Sequence, residues 1–148
     1  MPFHSKLDAV YIKMCHVWSS LSKAKRKKVG CLIVKDGSII SDGYNGTPRG
    51  FSNECEVRLD EHDPEALMTR PEVLHAESNA ITKLAKSTQS SDGATMYITV
   101  SPCIECAKLI IQSGITRVVY DEFYKNKEGI DLLHRAGITV LELTNSKL

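Results

Sequence analysis

The pairing of His75-Ala76-Glu77 with Pro102-Cys103-Ile104-Glu105-Cys106 constrains this chain more than any other feature. One imidazole and two thiolates make three zinc ligands, which leaves the fourth tetrahedral position to water, as in a catalytic rather than a structural site. Any fold the chain adopts must therefore bring residues 75 and 103–106 to one point. Zinc lowers the pKa of bound water from about 15.7 to about 7. Glu77, two residues past the histidine, is a spare carboxylate suited to proton transfer. Cys103 and Cys106 are three apart on a first helical turn, so their sulfurs face one side, and a helix N-terminus favours thiolate there. His75 begins a second helix in the same way. The competing reading is a structural zinc site closed by Cys55 or His62, and the spare Glu77 favours the catalytic one.

The rest of the composition narrows the partners. The chain has 148 residues, with nineteen Lys and Arg against eighteen Asp and Glu. A formal charge of +1 lacks the basic excess of a protein that tracks a nucleic-acid backbone. A small substrate is expected, with no nucleic acid and no membrane. Five cysteines are an odd number, Met1-Pro2-Phe3-His4-Ser5 has no apolar signal core, and no apolar run is long enough to span a bilayer. The expectation is one soluble domain over 1–148 in a reducing, cytoplasmic compartment, where cysteine pairs hold metal more often than they form disulfides.

Along the chain, Leu7, Val10, Tyr11, Met14, Val17, Trp18 and Leu21 recur at three- and four-residue steps and predict an amphipathic helix. Cys15 is expected in the core and His16 on the surface. Lys23-Ala24-Lys25-Arg26-Lys27-Lys28 then places five cations in six positions. As an isolated run it is a solvated loop; leading into a strand beside the metal site, one or two of its cations suit a phosphate. Val29 to Val34 and Ser38 to Asp42 predict an antiparallel pair around Asp36-Gly37, with Cys31 in the core. Residues 43–50, with three glycines and a proline, form a loop. From Glu54 to Glu72 no period holds, which predicts an active-site flap or a partly disordered segment. A second metal site drawn from Cys55, His62, Cys15 or Cys31 matches no ligand spacing. A helix from His75, a strand at 95–100, a helix capped by Ser101 with Pro102 as its first residue, a strand at 117–120, a helix at 127–136 and a strand at 138–143 complete the series. This order predicts a three-layer α/β domain, a mixed sheet of about five strands with helices on both faces. The ligands then lie at the sheet edge, where open α/β sheets bind ligands.

Ser22-Lys23, Val29-Gly30, Gly43-Tyr44-Asn45-Gly46, the run from His75 to Ile81 and the run from Ser101 to Ile115 together resemble the deoxycytidylate deaminases. The likeness covers the chain from about Ser22 to Leu143. It extends to phage-encoded members, so the host cytoplasm is the location if the source is viral. The resemblance implies a cytidine-deaminase-like fold and conversion of dCMP and water to dUMP and ammonia, feeding thymidylate synthesis. It also implies one catalytic Zn²⁺ per subunit, a homo-oligomer that is often a hexamer, activation by dCTP and inhibition by dTTP, with Mg²⁺ accompanying the nucleotide effector. By the same resemblance His75, Cys103 and Cys106 are the zinc ligands and Glu77 the proton shuttle. Asn45 meets the sugar, Ser22 and Lys23 hold phosphate, Ala76 and Tyr124 border the substrate, and Tyr44, Asn45 and Arg49 belong to the effector region. Relatives with a second zinc carry a longer insertion before His75 and cysteines near the positions of Lys25 and Arg26; this chain has neither. Two alternatives stay open: a deaminase acting on a base in tRNA or single-stranded nucleic acid, and an inactive zinc-stabilised interaction module.

Overall fold

A computed structural model describes residues 5–143 of the chain. In order the elements are α1 (Lys6–Ser19), β1 (Gly30–Lys35), β2 (Ser38–Tyr44), β3 (Glu56–Asp60), β4 (Asp63–Thr69) and α2 (Ala76–Leu84). They continue with β5 (Thr95–Val100), α3 (Ile104–Gln112), β6 (Arg117–Glu122), α4 (Glu128–Arg135) and β7 (Thr139–Glu142). The expected domain 1–148 thus has its two ends, 1–4 and 144–148, outside the described residues. No helix among the described residues is long and apolar enough to cross a membrane.

Five strands form one sheet in the order β2-β1-β5-β6-β7. The β2-β1 and β1-β5 junctions are antiparallel, and β5-β6 and β6-β7 are parallel. Asp36 and Gly37 turn the first hairpin with φ of 51° and 78°, the paired left-handed conformation that matches strand twist. Side chains alternate between faces along each strand. Cys31, Ile33, Met96, Ile98 and Val118 pack under α2, α3 and α4, against Ala76, Ala80, Ala107, Ile110 and Leu133. Leu32, Val34, Tyr97 and Val119 pack on the other face under α1. The mixed five-stranded sheet with helices on both faces is the architecture expected from the element order, and Cys15 and Cys31 are core residues as expected.

Three elements differ from expectation. The first is the face of α1. Of the seven residues the sequence pattern placed on the apolar side, Tyr11 is buried and Trp18 half-buried, while Leu7, Val10, Met14, Val17 and Leu21 are exposed. The buried side is Asp8, Ala9, Tyr11, Ile12 and Cys15. Asp8 explains the rotation. It accepts the backbone N–H of Ser5 while Ser5 Oγ accepts that of Asp8, a reciprocal capping box. Its carboxylate also takes the Tyr97 hydroxyl at 2.6 Å and the Arg117 guanidinium at 3.0 Å. A buried carboxylate needs such partners, and both stand on the sheet.

The second difference is the segment 54–72, which was expected to lack regular structure and contains a two-stranded hairpin, with Cys55, Glu56 and Thr69 on the cavity wall. Glu56 faces Thr69, Val57 faces Met68 and Arg58 faces Leu67. The hairpin is largely solvated on both sides, so no hydrophobic alternation marks it in the sequence. The third is the start of α3. Ser101 was expected to cap it and Pro102 to begin it; the cap is Cys103 and the helix begins at Ile104. The Ser101 hydroxyl is engaged elsewhere, accepting the Tyr124 N–H at 2.8 Å.

Asp8→Asn should cost about 3 kcal/mol in urea denaturation at neutral pH, because it leaves Arg117 without its partner. Burial opposes ionisation of Asp8, but the hydrogen bonds from Arg117 and Tyr97 outweigh it and hold the carboxyl below its ordinary 3.8. A lowered native pKa gives stability that is present above the unfolded value and lost as pH falls through the native one. The gap between wild type and variant should therefore close on acidification below about pH 4, and a pH-independent gap would sink this account.

Candidate zinc and substrate site

The two motif halves are brought together by two helix starts. His75 is the N-cap residue of α2 and Cys103 that of α3, both in extended backbone conformation. Close backbone approaches seat them. A Cβ on Gly43 of β2 would lie 2.4 Å from the Ala76 carbonyl oxygen, so only glycine lets the first turn of α2 rest on that strand. A Cβ on Gly129 of α4 would lie 2.1 Å from the Pro102 carbonyl oxygen, so the start of α3 sits equally close to α4.

At this junction His75, Cys103 and Cys106 present their ligand atoms within 4.8 Å of one another. His75 Nδ1 is 3.2 Å from Cys106 Sγ and 3.5 Å from Cys103 Sγ. Zinc bound tetrahedrally at about 2.3 Å from sulfur and about 2.0 Å from nitrogen sets the N···S edge near 3.5 Å, so the donors are spaced to take it. Among the described residues no other group of His, Cys, Asp and Glu has this spacing. Cys55 is buried in the cavity wall and His62 lies on the β3–β4 turn, so neither completes a fourth position in this cluster.

The three donors and Glu77 shift one another's protonation. The hydrogen bond from the Cys106 thiol, followed by that from His75, holds Cys103 down to about 3 despite its burial. Cys106 is pushed up, first by serving as donor to Cys103 and then by burial. The bond to Cys103 raises His75. Glu77 is only 3% exposed in the first turn of α2, and burial raises its carboxyl.

A cavity of about 260 Å³ opens over these groups. His75, Glu77 and Cys103 line one part of it, with Ala76, Val100 and Ser101. Arg26, Lys27 and Lys125 line the same cavity and give it cationic groups. Both lysines lie over the Tyr124 ring, with Lys27 Nζ 5.9 Å and Lys125 Nζ 5.2 Å from its centroid. Asn45 also lines it, and its amide ties the loop together, accepting Val29 N–H and donating to the Lys27 carbonyl at 2.8 Å each. One N–H and one oxygen lone pair of that amide remain unused by these two bonds.

Other expected residues lie elsewhere. Ser22 and Lys23 do not line the cavity: the buried Ser22 hydroxyl donates to the Asn45 carbonyl at 2.8 Å, and Lys23 faces solvent. Tyr44 and Arg49 are exposed and outside the cavity. The sequence pattern did not single out Lys125, Glu56 or Thr69, all of which line it. Lys125 carries a positive φ of 66° for which the sequence offers no glycine or asparagine signal.

A mixed sheet with a His/Cys/Cys donor set and a buried glutamate at two helix starts is the layout of a zinc-dependent hydrolytic deaminase. Residues 5–122 match the model of the cytidine and deoxycytidylate deaminase zinc-binding region, and the chain belongs to this family. It is similar to the dCMP deaminase of cyanophage S-TIM5, solved in complex with dCMP and dUMP. The identity is 41% and the TM-score 0.86, over 95% of this chain and 98% of that one. The deoxycytidylate deaminase of Enterobacteria phage T4 is 36% identical, over 93% of this chain and 90% of the relative. The human deoxycytidylate deaminase is also 36% identical, over 80% and 68% respectively.

Metal analysis of purified protein should give about one zinc per chain, the content expected of a single three-ligand site. Cys106→Ser should reduce this at least tenfold after dialysis against a mild chelator, while Cys55→Ser should leave it unchanged. Equal loss in both variants would place Cys55 among the ligands.

Proposed function

We propose that the chain deaminates dCMP hydrolytically to dUMP and ammonia, with His75, Cys103 and Cys106 holding zinc and Glu77 moving the protons. The observation that carries this reading is the single cavity lined by both the His75, Cys103 and Glu77 groups and by Arg26, Lys27 and Lys125. A nucleotide has a base to react and a phosphate to anchor, and this cavity offers groups for each. Its likeness to a deaminase solved with dCMP and dUMP supports the same substrate.

Zinc held by the three donors acidifies water and so supplies a nucleophile at neutral pH. Glu77 Oε accepts the proton of the attacking water as oxygen adds to C4 of cytosine. It delivers that proton to N3, then carries the second water proton to the departing amino group, which leaves as ammonia. Burial suits Glu77 to this traffic, since a shielded carboxyl can hold a proton between steps. Arg26, Lys27 and Lys125 bind the phosphate, the first as a planar fork and the lysines as point charges. Tyr124 and the remaining valences of Asn45 border the sugar and base.

The same reading extends to supply of dUMP for thymidylate synthesis and to control by dCTP and dTTP. Tyr44 and Arg49 are its effector residues, and their exposure outside the cavity suits a separate nucleotide site. It also extends to a homo-oligomer, six copies by the resemblance. Leu7, Val10, Met14 and Val17 repeat at alternating three- and four-residue steps on the solvent side of α1, with Leu21 just past its end, the spacing of a helix-pairing seam. A second copy related by a twofold axis presents the same seam in return.

The direct test is loss of cytosine ultraviolet absorbance with zinc-loaded protein. dCMP should be turned over and deoxycytidine only weakly. Glu77→Gln should keep its zinc and lose about 10² to 10⁴ of the rate. Zinc-loaded protein that leaves dCMP unchanged, or a fully active Glu77→Gln, would refute the reading. Separately, sedimentation should give an oligomer that Val17→Glu dissociates, since Val17 is 68% exposed in the single chain. A wild-type monomer, or a variant of undiminished mass, would rule out the α1 seam.

A further inference from the structure

We infer that Glu56 is a positioning residue for the substrate phosphate, holding the cationic loop so that Arg26 and Lys27 face the cavity. The inference rests on the dCMP reading above. Glu56 belongs to the β3–β4 hairpin, which the metal chemistry does not use. One of its carboxylate oxygens, Oε2, accepts two consecutive backbone N–H groups, those of Lys25 at 2.8 Å and Arg26 at 3.0 Å. Its cross-strand partner Thr69 reaches the same residue from the side: Thr69 Oγ1 accepts Arg26 Nη1 at 3.0 Å. The root of the hairpin thus grips Arg26 by its backbone and its side chain at once, and both gripping residues line the cavity.

The loop needs such a clamp. Five cations in the six positions 23–28 repel one another. Either side of Lys25 and Arg26, side chains of the neighbouring core already fix the backbone. Ser22 Oγ accepts Ala24 N–H at 3.2 Å, and Asn45 holds Lys27 and Val29. Glu56 supplies the middle of this series, and its charge strengthens both bonds. The hairpin orders the Arg26 side chain through Thr69, and Lys27 Nζ is held separately by Glu122 at 2.8 Å; ordering Arg26 in advance spares that cost when the anion binds. Glu56 does not itself bind phosphate, since like charges repel.

The consequence is a selective loss. In Glu56→Ala, KM for dCMP should rise about tenfold with kcat little changed, while kcat/KM for deoxycytidine, which has no phosphate, should move less than about twofold. Thr69→Val should raise KM for dCMP about threefold by the loss of one bond. Glu56→Gln retains an oxygen that can accept both amides and should restore most of the wild-type KM. Hydrogen exchange on the zinc-loaded proteins, without substrate, should show the Lys25 and Arg26 amides protected in wild type and Glu56→Gln and exposed in Glu56→Ala. Unchanged KM for dCMP in Glu56→Ala, equal losses for dCMP and deoxycytidine, or a fall in KM would overturn the inference. So would unaltered exchange at the two amides. If wild type fails to turn over dCMP, the functional reading falls, and the exchange data still decide whether Glu56 clamps the loop.

Discussion

The structure depends on the convergence of two helix N-termini. Two sulfurs and one imidazole nitrogen must lie within 4.8 Å although His75 and Cys103 come from separate stretches of chain. Side chains alone do not secure that spacing. The backbone does, through contacts too close for any residue but glycine, with Gly43 against the start of α2 and Gly129 against the residues that begin α3. Because both ligands are N-cap residues, each lies where its helix has free N–H groups and a partial positive charge. That field favours thiolate at Cys103 before any cation arrives.

Around this point the molecule is divided by chemistry. The parallel half of the sheet delivers α3, with two of the donors, and the backbone of Tyr124, tied back to Ser101. The antiparallel half delivers β2 and the Asn45 loop that follows it. The hairpin β3–β4 stands outside the sheet and meets the site only where Glu56 and Thr69 touch the cationic loop. The metal donors thus come from the starts of α2 and α3, and the cavity's cationic groups from the loop before β1 and, at Lys125, from the segment after β6.

The sequence made some of this legible and not the rest, for physical reasons. His75, Glu77, Cys103 and Cys106 were visible because ligand chemistry permits few residue types and few spacings. The sheet was visible because strands such as Gly30–Lys35 and Thr95–Val100 are buried along nearly their whole length and rich in β-branched, aromatic and other apolar residues. The face of α1 was not, because the apolar period there marks the solvent side. Its core side holds an acid, Asp8, whose partners Tyr97 and Arg117 are 89 and 109 residues away. The hairpin was missed because it is solvated on both sides. Which cations face the cavity was likewise hidden: that choice depends on Glu56, thirty residues beyond them.

The hairpin has a further meaning for how such a chain can be altered. Its root touches the cavity wall, while the reversal at Glu61 and His62 is exposed and takes no part in the site. Exposed turns of this kind accept inserted sequence. A peptide spliced there would leave both ligand-bearing helices untouched yet be joined by two short strands to the clamp on Arg26. The turn is thus an attachment point that lies apart from the metal donors.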